Sequence, residues 1–320
     1  MSTFVELTRE STCTLDNGHR VGNFHNYYEF NPADNRLSIL ENCGFLEFIT
    51  DAKNSLTLEN MDDSDTCDID NRASKRQKRD EGSMLYCDLG CNEGDLTLAL
   101  ASAISKARVA SDKDNSISVH CLGLDIDQEL IDRANSKREG RFRNYTSNEK
   151  SKSNDSNEDI EVEAEFVTCN LIDDKDHSMK SKAFLEKFGK ARFHLTSIFS
   201  TTMWIHIHGG DSGLIDFLQR AAEMTEYLLL EPQPSKCYRN VNVRLRRMNR
   251  PELDVSTERL KMRSSVETEV EQVLKKCGFE RVFLSPTASN GQNEDQDCKA
   301  LDEKASRTKW NRNLQLYKRC

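Results

Sequence analysis

From residue 84 onward, short apolar runs alternate with longer stretches whose apolar residues recur every third or fourth position. The short runs predict strands over Met84–Asp88, Val119–Asp125, Ala164–Asn170 and Phe193–Phe199, then over YLLLEP at 227–232, FERVFLS at 279–285 and LQLYKR at 314–319. The longer stretches predict helices. Asp95 caps one that runs to about Ser105, and Asp127 caps a short one with Leu130, Ile131 and Ala134 on one face. Asp211 caps another, whose Leu214, Phe217, Leu218, Ala221 and Ala222 share a side. Ser265 caps a last one with Val266, Val270, Val273, Leu274 and Cys277 aligned, and Gly278 stops it. Strand–helix alternation of this kind implies an α/β domain built on a mostly parallel sheet covered on both faces. Ligands of such sheets bind at the carboxyl ends of the strands. Asp88, Asp125, Asn170 and Phe199 all fall at such ends.

The pattern fails in three places. Residues 51–81, 136–165 and 286–306 are rich in Asn, Ser, Asp, Glu and Lys, and hold too little apolar surface to offset the entropy of ordering. They read as solvated insertions in one domain spanning 21–320, with 1–20 as a tail. Acids outnumber bases in each, and together they hold nearly all of the net charge of −9. The acidic balance therefore does not exclude an anionic substrate. The 11 cysteines form no CxxC pair and read as free thiols, with no metal site. The opening MSTFVELTRE lacks an apolar signal core, and no run reaches the length of a membrane span. A soluble protein of the cytoplasm is expected. Arg72–Arg79 has the composition of a nuclear localisation signal, and equally that of a solvated basic loop.

The turn after the first strand carries the most chemistry. It reads Asp88-Leu-Gly90-Cys-Asn92-Glu-Gly94. A dinucleotide fingerprint would be G-x-G-x-x-G, and a Walker loop would end in Gly-Lys-Ser/Thr. Neither is present. The turn admits a ligand to the backbone without a full pyrophosphate cradle. Asp125 can accept hydrogen bonds from ribose hydroxyls, and the Asn170 amide can read an adenine edge. An adenosine without a pyrophosphate points to S-adenosyl-L-methionine. The bland alternative is an ordinary turn beside a strand-end Asp. Asp88 either orients the glycine loop or faces the amino-acid end of the donor.

Four further segments narrow the reading: VGNFHNYYEFNPADNRL at 21–37, TTMWIHIHGGDSGL at 201–214, LLLEPQPSKCYRNVNVRLRRM at 228–248 and KWNRNLQLYKR at 309–319. Together they resemble the bicoid-interacting-protein-type family of RNA 5′-end methyltransferases. That resemblance implies a Rossmann-like class I S-adenosylmethionine-dependent methyltransferase with a seven-stranded sheet. Carried over by position, it implies donor contacts from Arg36, Asn92, Asp125, Asn170, Leu171 and Phe199, with Arg36 clamping the donor carboxylate. Asn170 stands where the family usually has Asp, and Ser235 where it usually has an aromatic. The KCYR and W-x-R segments resemble the branch acting on the 5′-monophosphate of histidine tRNA and precursor microRNA more than the γ-phosphate capping branch.

A terminal phosphate is already anionic near neutral pH, so the chemistry asks for positioning rather than a strong base. Candidates for holding the RNA end are Tyr28, His206, Lys236 and Arg239, with Tyr27 and His208 behind them. Tyr28 and His206 are the candidate catalytic side chains. Both tyrosines and both histidines equally suit core packing. Lys236–Arg250 contains six bases and no acid. Drawn as one helix, it places Val241, Leu245 and Met248 on one face and Lys236, Arg239, Arg246, Arg247 and Arg250 opposite. Such a face suits the phosphates of a structured, acceptor-stem-like RNA, and otherwise is simply solvated. The remaining alternatives are a methyltransferase for a protein or small molecule, and a non-catalytic RNA-binding protein of the same fold.

Overall fold

The computed structural model describes residues 27–55, 83–111, 118–147, 162–247, 252, 257–285 and 312–320. Among them the strands form one seven-stranded sheet. They are β1 (Met84–Leu89), β2 (Val119–Asp125), β3 (Val162–Thr168), β4 (Phe193–Phe199), β5 (Thr225–Glu231), β6 (Phe279–Leu284) and β7 (Gln315–Arg319). Their order is β3-β2-β1-β4-β5-β7-β6. All neighbouring pairs from β3 to β5 are parallel, and β7 runs antiparallel to both β5 and β6. This is the expected Rossmann-like class I architecture. The chain steps outward from β1 to β3, then crosses back to β4, so the switch in strand order lies between β1 and β4.

Ten helices accompany the sheet among the described residues: α1 (Tyr27–Phe30), α2 (Ala33–Asn42), α3 (Phe45–Ser55), α4 (Asp95–Ser111), α5 (Gln128–Ser147), α6 (Asp174–Lys187), α7 (Thr202–Glu223), α8 (Ser235–Arg239), α9 (Val241–Arg247) and α10 (Val266–Lys276). Every residue of β1 and β2 is buried, as a sheet covered on both faces requires. On one face Ile39, Leu40, Phe45 and Ile49 pack with Leu96, Leu100 and Ile104. On the other, Leu214, Phe217 and Leu218 pack with Val266, Val270 and Leu274. Fully burying a Leu, Ile or Phe contributes about 1.5–3 kcal/mol. The segment from α2 to α3 is thus part of the core rather than a lead-in.

Several expectations need correction. The first insertion cannot begin at 51, because α3 continues through Ser55. The second is bounded by a 20-residue α5 and by β3, which starts at Val162. Helical hydrogen bonding is internal to the segment, and Lys, Arg and Glu are good helix formers, so a polar composition does not end α5. As an edge strand β3 leaves Glu163 exposed, which disguised its start. Asp127 does cap α5, its Oδ1 accepting from the backbone N–H groups of Glu129 and Leu130 at 3.0 and 3.4 Å. Asp95 is the first residue of α4 rather than its cap. Ser265 precedes α10 without a side-chain capping bond.

Asp211 does open the helical segment that carries Leu214, Phe217, Leu218, Ala221 and Ala222, but a further helical segment, not expected from the sequence, runs directly into it. α7 already runs from Thr202, and Gly210 kinks it with φ 71° and ψ −175°, a conformation that glycine adopts without strain. The basic segment is not one helix. It breaks at Asn240 into α8 and α9, so a single helical projection does not apply across it. Val241 and Leu245 are buried as expected. Met248 and Arg250 lie outside the described residues, as do 1–20, 286–306 and Arg72–Arg79. No described helix is long and apolar enough to cross a membrane.

Candidate active site

The glycine turn is held from below. Gly90 and Cys91 donate backbone N–H bonds to the Leu124 carbonyl at 2.7 and 3.1 Å, which ties the turn to the end of β2. Gly90, Asn92 and Gly94 all take left-handed backbone, with φ of 88°, 53° and 76°. Asn is among the few other residues that enter that region readily. Asp125 fixes the crest of the turn: its Oδ2 accepts from the Asn92 N–H at 2.9 Å, and its Oδ1 from the Asp127 N–H at 3.1 Å. Both carboxylate oxygens are thus engaged where the turn and the start of α5 meet at the end of β2.

Asp88 sits deeper, 2% exposed, accepting from Thr97 at 2.5 Å and Ser197 at 2.6 Å. Burial raises its pKa to about 6, against the pull of those two hydroxyls. Its contacts tie α4 to β4 beneath the turn. Beyond β3, the Asn170 side-chain oxygen accepts from Ile172 N–H at 3.1 Å, and the Asn170 N–H donates to Asp176 at 2.9 Å. That local turn commits the oxygen of the amide and leaves its NH2 as the donor end. Leu171 is buried next to it, and its carbonyl accepts from Arg220 at 2.9 Å.

A second cluster occupies the ends of β4 and β5. Arg36, fully buried, donates from Nε and Nη2 to Glu231 Oε2 at 3.1 and 2.6 Å. It also donates to the Tyr27 hydroxyl at 2.6 Å and to Ser200 Oγ at 3.2 Å. Burial opposes its charge, but Glu231 and Tyr27 outweigh that and hold its pKa above the usual value. The guanidinium of Arg36, expected to clamp the donor carboxylate, is thus engaged in a buried ion pair. Phe199 is buried, with the Arg36 guanidinium carbon 5.8 Å from its ring centre. Ser200 is a hub in left-handed backbone, φ 55°, donating to Glu231 at 2.6 Å and accepting from Arg312 at 2.5 Å. Gln233 locks the region: its amide NH2 donates to the Ser200 carbonyl, and its oxygen accepts from Thr202 and from Met203 N–H at 2.8 and 2.9 Å.

The other sequence candidates separate. Tyr28 lies over the turn with its hydroxyl 3.5 Å from the Cys91 carbonyl, and burial lifts its pKa well above the ordinary range. His206 is not available to a ligand. It is fully buried, with Nδ1 3.0 Å from the Tyr238 hydroxyl and Nε2 2.7 Å from Asp211. Burial lowers its pKa, with Asp211 partly opposing, so the imidazole is a neutral bridge in the core. His208, one turn away from the buried side of α7, is exposed. Lys236 and Arg239 are exposed on α8, and Arg239 donates to Ser235 at 3.1 Å. Arg246 is exposed and pairs with Glu252 at 3.2 Å, an acid just past the stretch read as purely basic. Arg247 ends α9, its side chain outside the described residues.

Four residues of this site were missed by sequence reasoning: Ser200, Glu231, Gln233 and Arg312. Two of them are the charged and amide positions of the EPQP segment, and Arg312 is the Arg of the W-x-R segment, so both motifs carried a signal. Ser200 offered none, because a Ser after a strand is ordinary.

Residues 193–319 match the family profile of Bicoid-interacting protein 3 (Bin3). Over 267 residues the chain is 33% identical to the pre-miRNA 5′-monophosphate methyltransferase of Danio rerio, covering 82% of this chain and 85% of that protein. The protein of the same name from Xenopus laevis is 30% identical over 236 residues, covering 73% and 74%. A crystal structure of a SAM-dependent methyltransferase from Methanosarcina mazei aligns at a TM-score of 0.40 and 15% identity, over 79% of this chain and 99% of that chain.

Proposed function

This chain belongs to the Bicoid-interacting protein 3 family, and on that premise we propose that it methylates the 5′-monophosphate of a structured RNA, using S-adenosyl-L-methionine. The observation that carries the reading is the 33% identity to a 5′-monophosphate methyltransferase across 82% of the chain. The geometry at the strand ends fits the donor. Asp125 stands beside the turn at the end of β2, where a carboxylate can meet ribose hydroxyls, Asn170 presents an amide donor for a base edge, and Leu171 gives an apolar wall. The donor, when bound, supplies an electrophilic methyl group. Histidine tRNA and precursor microRNA, each with a base-paired stem at its 5′ end, are the substrate type this reading favours.

The protein's own side chains contribute position rather than proton transfer. A 5′-phosphate, with a second pKa of about 6, offers an anionic oxygen near neutral pH. Neither original catalytic candidate is a base: His206 has both nitrogens engaged in the core, and Tyr28 is held neutral by burial. Holding the oxygen in line with the methyl is then the main task, and a misplacement of about 1 Å can lower the rate 10²-fold. Lys236 and Arg239, exposed just beyond β5, are the cations this reading assigns to RNA phosphates.

Methyl transfer from labelled donor to a single hairpin RNA bearing a 5′ hydroxyl, monophosphate or triphosphate tests the reading. The monophosphate is expected to be the best substrate, the triphosphate poor and the hydroxyl inert. Preference for the triphosphate would place the protein with γ-phosphate capping enzymes, and efficient transfer to the hydroxyl would overturn the phosphate-oxygen chemistry.

A further inference from the structure

The turn that follows β3 stands at the carboxyl end of the sheet, on the same side of the switch point as the glycine turn after β1 and Asp125 at the end of β2. Within it, one peptide unit is fixed at both edges. A trans peptide is planar, with its C=O and N–H pointing in opposite directions. In the Leu171–Ile172 unit the N–H donates to Asn170 Oδ1 at 3.1 Å, and the carbonyl accepts from Arg220 Nη2 at 2.9 Å. Arg220 Nη2 also lies 3.5 Å from the next carbonyl, that of Ile172. Arg220 belongs to α7, the helix that follows β4, and so reaches this turn from across the switch point. An ion pair does not explain its placement. The nearest acid, Asp174, is 70% exposed and its Oδ1 is 3.6 Å from Arg220 Nε, whereas the Arg220 side chain is only 14% exposed and the Leu171 carbonyl is closer. Exposed pairs of that kind contribute little. Nor is Arg220 needed to join α6 to α7. Those helices already meet through side chains such as His177 and Phe217, with ring centres 6.4 Å apart.

We propose that Arg220 is a positioning residue for donor recognition: by holding the Leu171 carbonyl it directs the opposite N–H to Asn170 Oδ1, and so leaves the Asn170 NH2 as the group offered to the donor base. The chemistry of residue 170 makes this orientation matter. A carboxylate there could accept from the same N–H through either oxygen, but an amide has one acceptor end and one donor end. Fixing the N–H therefore fixes which end of Asn170 faces a ligand. Arg220 acts through one peptide unit and one side chain, without touching the donor itself. This assignment rests on the reading of the β3 end as the side that receives the donor's base, and the test separates the two.

Calorimetry of the full chain with S-adenosylhomocysteine measures the affinity of the donor site. Asn170→Ala should weaken it by roughly three- to tenfold, the contribution of one neutral hydrogen bond. Arg220→Met should produce a loss of similar size, and Arg220→Lys, which can still donate to a carbonyl, should recover part of it. The double variant Arg220→Met, Asn170→Ala should bind no more weakly than the worse of the two singles, because both remove the same contact. A general loosening of α7 would instead add its own loss to that of Asn170→Ala. Arg220→Gln, whose side chain is too short to span from α7 to the carbonyl, carries the same cycle if Arg220→Met does not fold. Native affinity in a folded Arg220→Met or Arg220→Gln protein, or losses that multiply in the double variant, would overturn the role of Arg220 and leave the donor site standing. Unchanged affinity in Asn170→Ala would overturn the placement of the base at the β3 end, and the role of Arg220 with it.

Discussion

Gly90→Ala is the most direct probe of how the glycine turn is built. Gly90 holds φ 88°, and an added Cβ would sit 2.1 Å from Thr201 Oγ1, 2.9 Å from its Cγ2 and 3.0 Å from its Cβ. Left-handed backbone costs an L-residue about 1–2 kcal/mol. Thr201 could rotate its hydroxyl away, but that breaks its 3.0 Å bond to the Phe199 carbonyl, about 1 kcal/mol more. The close approach to Thr201 Cβ remains after rotation, so the turn must shift against β4 as well, and overpacking of this kind costs about 1–3 kcal/mol. The expected total is about 3–6 kcal/mol, read as a lower urea midpoint at unchanged slope. Because the shift moves Asn92 and its bond to Asp125, donor affinity measured by calorimetry should fall too. Thr201→Ala removes Oγ1 and Cγ2, so the double variant should be less destabilised than the sum of the two singles, by about 1 kcal/mol. An unchanged midpoint in Gly90→Ala, or strict additivity with Thr201→Ala, would refute the contact argument.

Removing one partner of the buried Arg36–Glu231 pair should be costly: Arg36→Met should destabilise by about 3–5 kcal/mol in urea unfolding, and adding Glu231→Leu should restore part of that. Asp88 has a folded pKa of about 6 against an ordinary 3.8, so its contribution is fully present below pH 4 and lost as pH rises through 6. His177, buried with neither ring nitrogen hydrogen-bonded, is lowered from 6.5 to about 4, so its contribution is present above 6.5 and lost as pH falls. The two oppose each other between pH 4 and 6. Asp88→Asn should therefore make stability rise more steeply with pH in that window than in the native protein, as urea titrations at several pH values would show. Asp125→Ala should weaken donor binding by about 1.5–3 kcal/mol in calorimetry, because it removes a charged acceptor and frees the Asn92 N–H.

The sheet was legible because buried parallel strands are written as continuous apolar runs, as at Cys121–Leu124 and Tyr227–Leu230. β3 was read two residues late because an edge strand is allowed polar residues such as Glu163. The three N-terminal helices escaped for a different reason. The buried side of α2 includes Arg36 alongside Ile39 and Leu40, and a charge on the core face defeats hydrophobic periodicity. That charge is tolerated only because Glu231, 195 residues away, faces it. Nothing near Arg36 in the chain reports such a partner, so an internal ion pair and an open anion clamp look identical in sequence. The same holds for His206, whose two partners lie on α8 and beyond the Gly210 kink. The break at Asn240 shows the converse limit: periodicity on both sides was right, yet one residue of poor helix propensity ended the continuity.

The position of β7 bears on how the protein is made. Among the described residues β6 pairs with β7 alone, and β5 meets β7 along the edge away from β4. During synthesis β5 and β6 emerge first and must wait, each with a row of unpaired backbone groups, until a strand encoded later slides between them. Arg312 travels with that strand and reaches Ser200 only when it docks. A chain interrupted between 285 and 312 would therefore retain β1 to β6 in sequence yet leave the β5 edge unpaired and suited to self-association. Closing the edge of the sheet and bringing Arg312 to Ser200 are, in this topology, the same event.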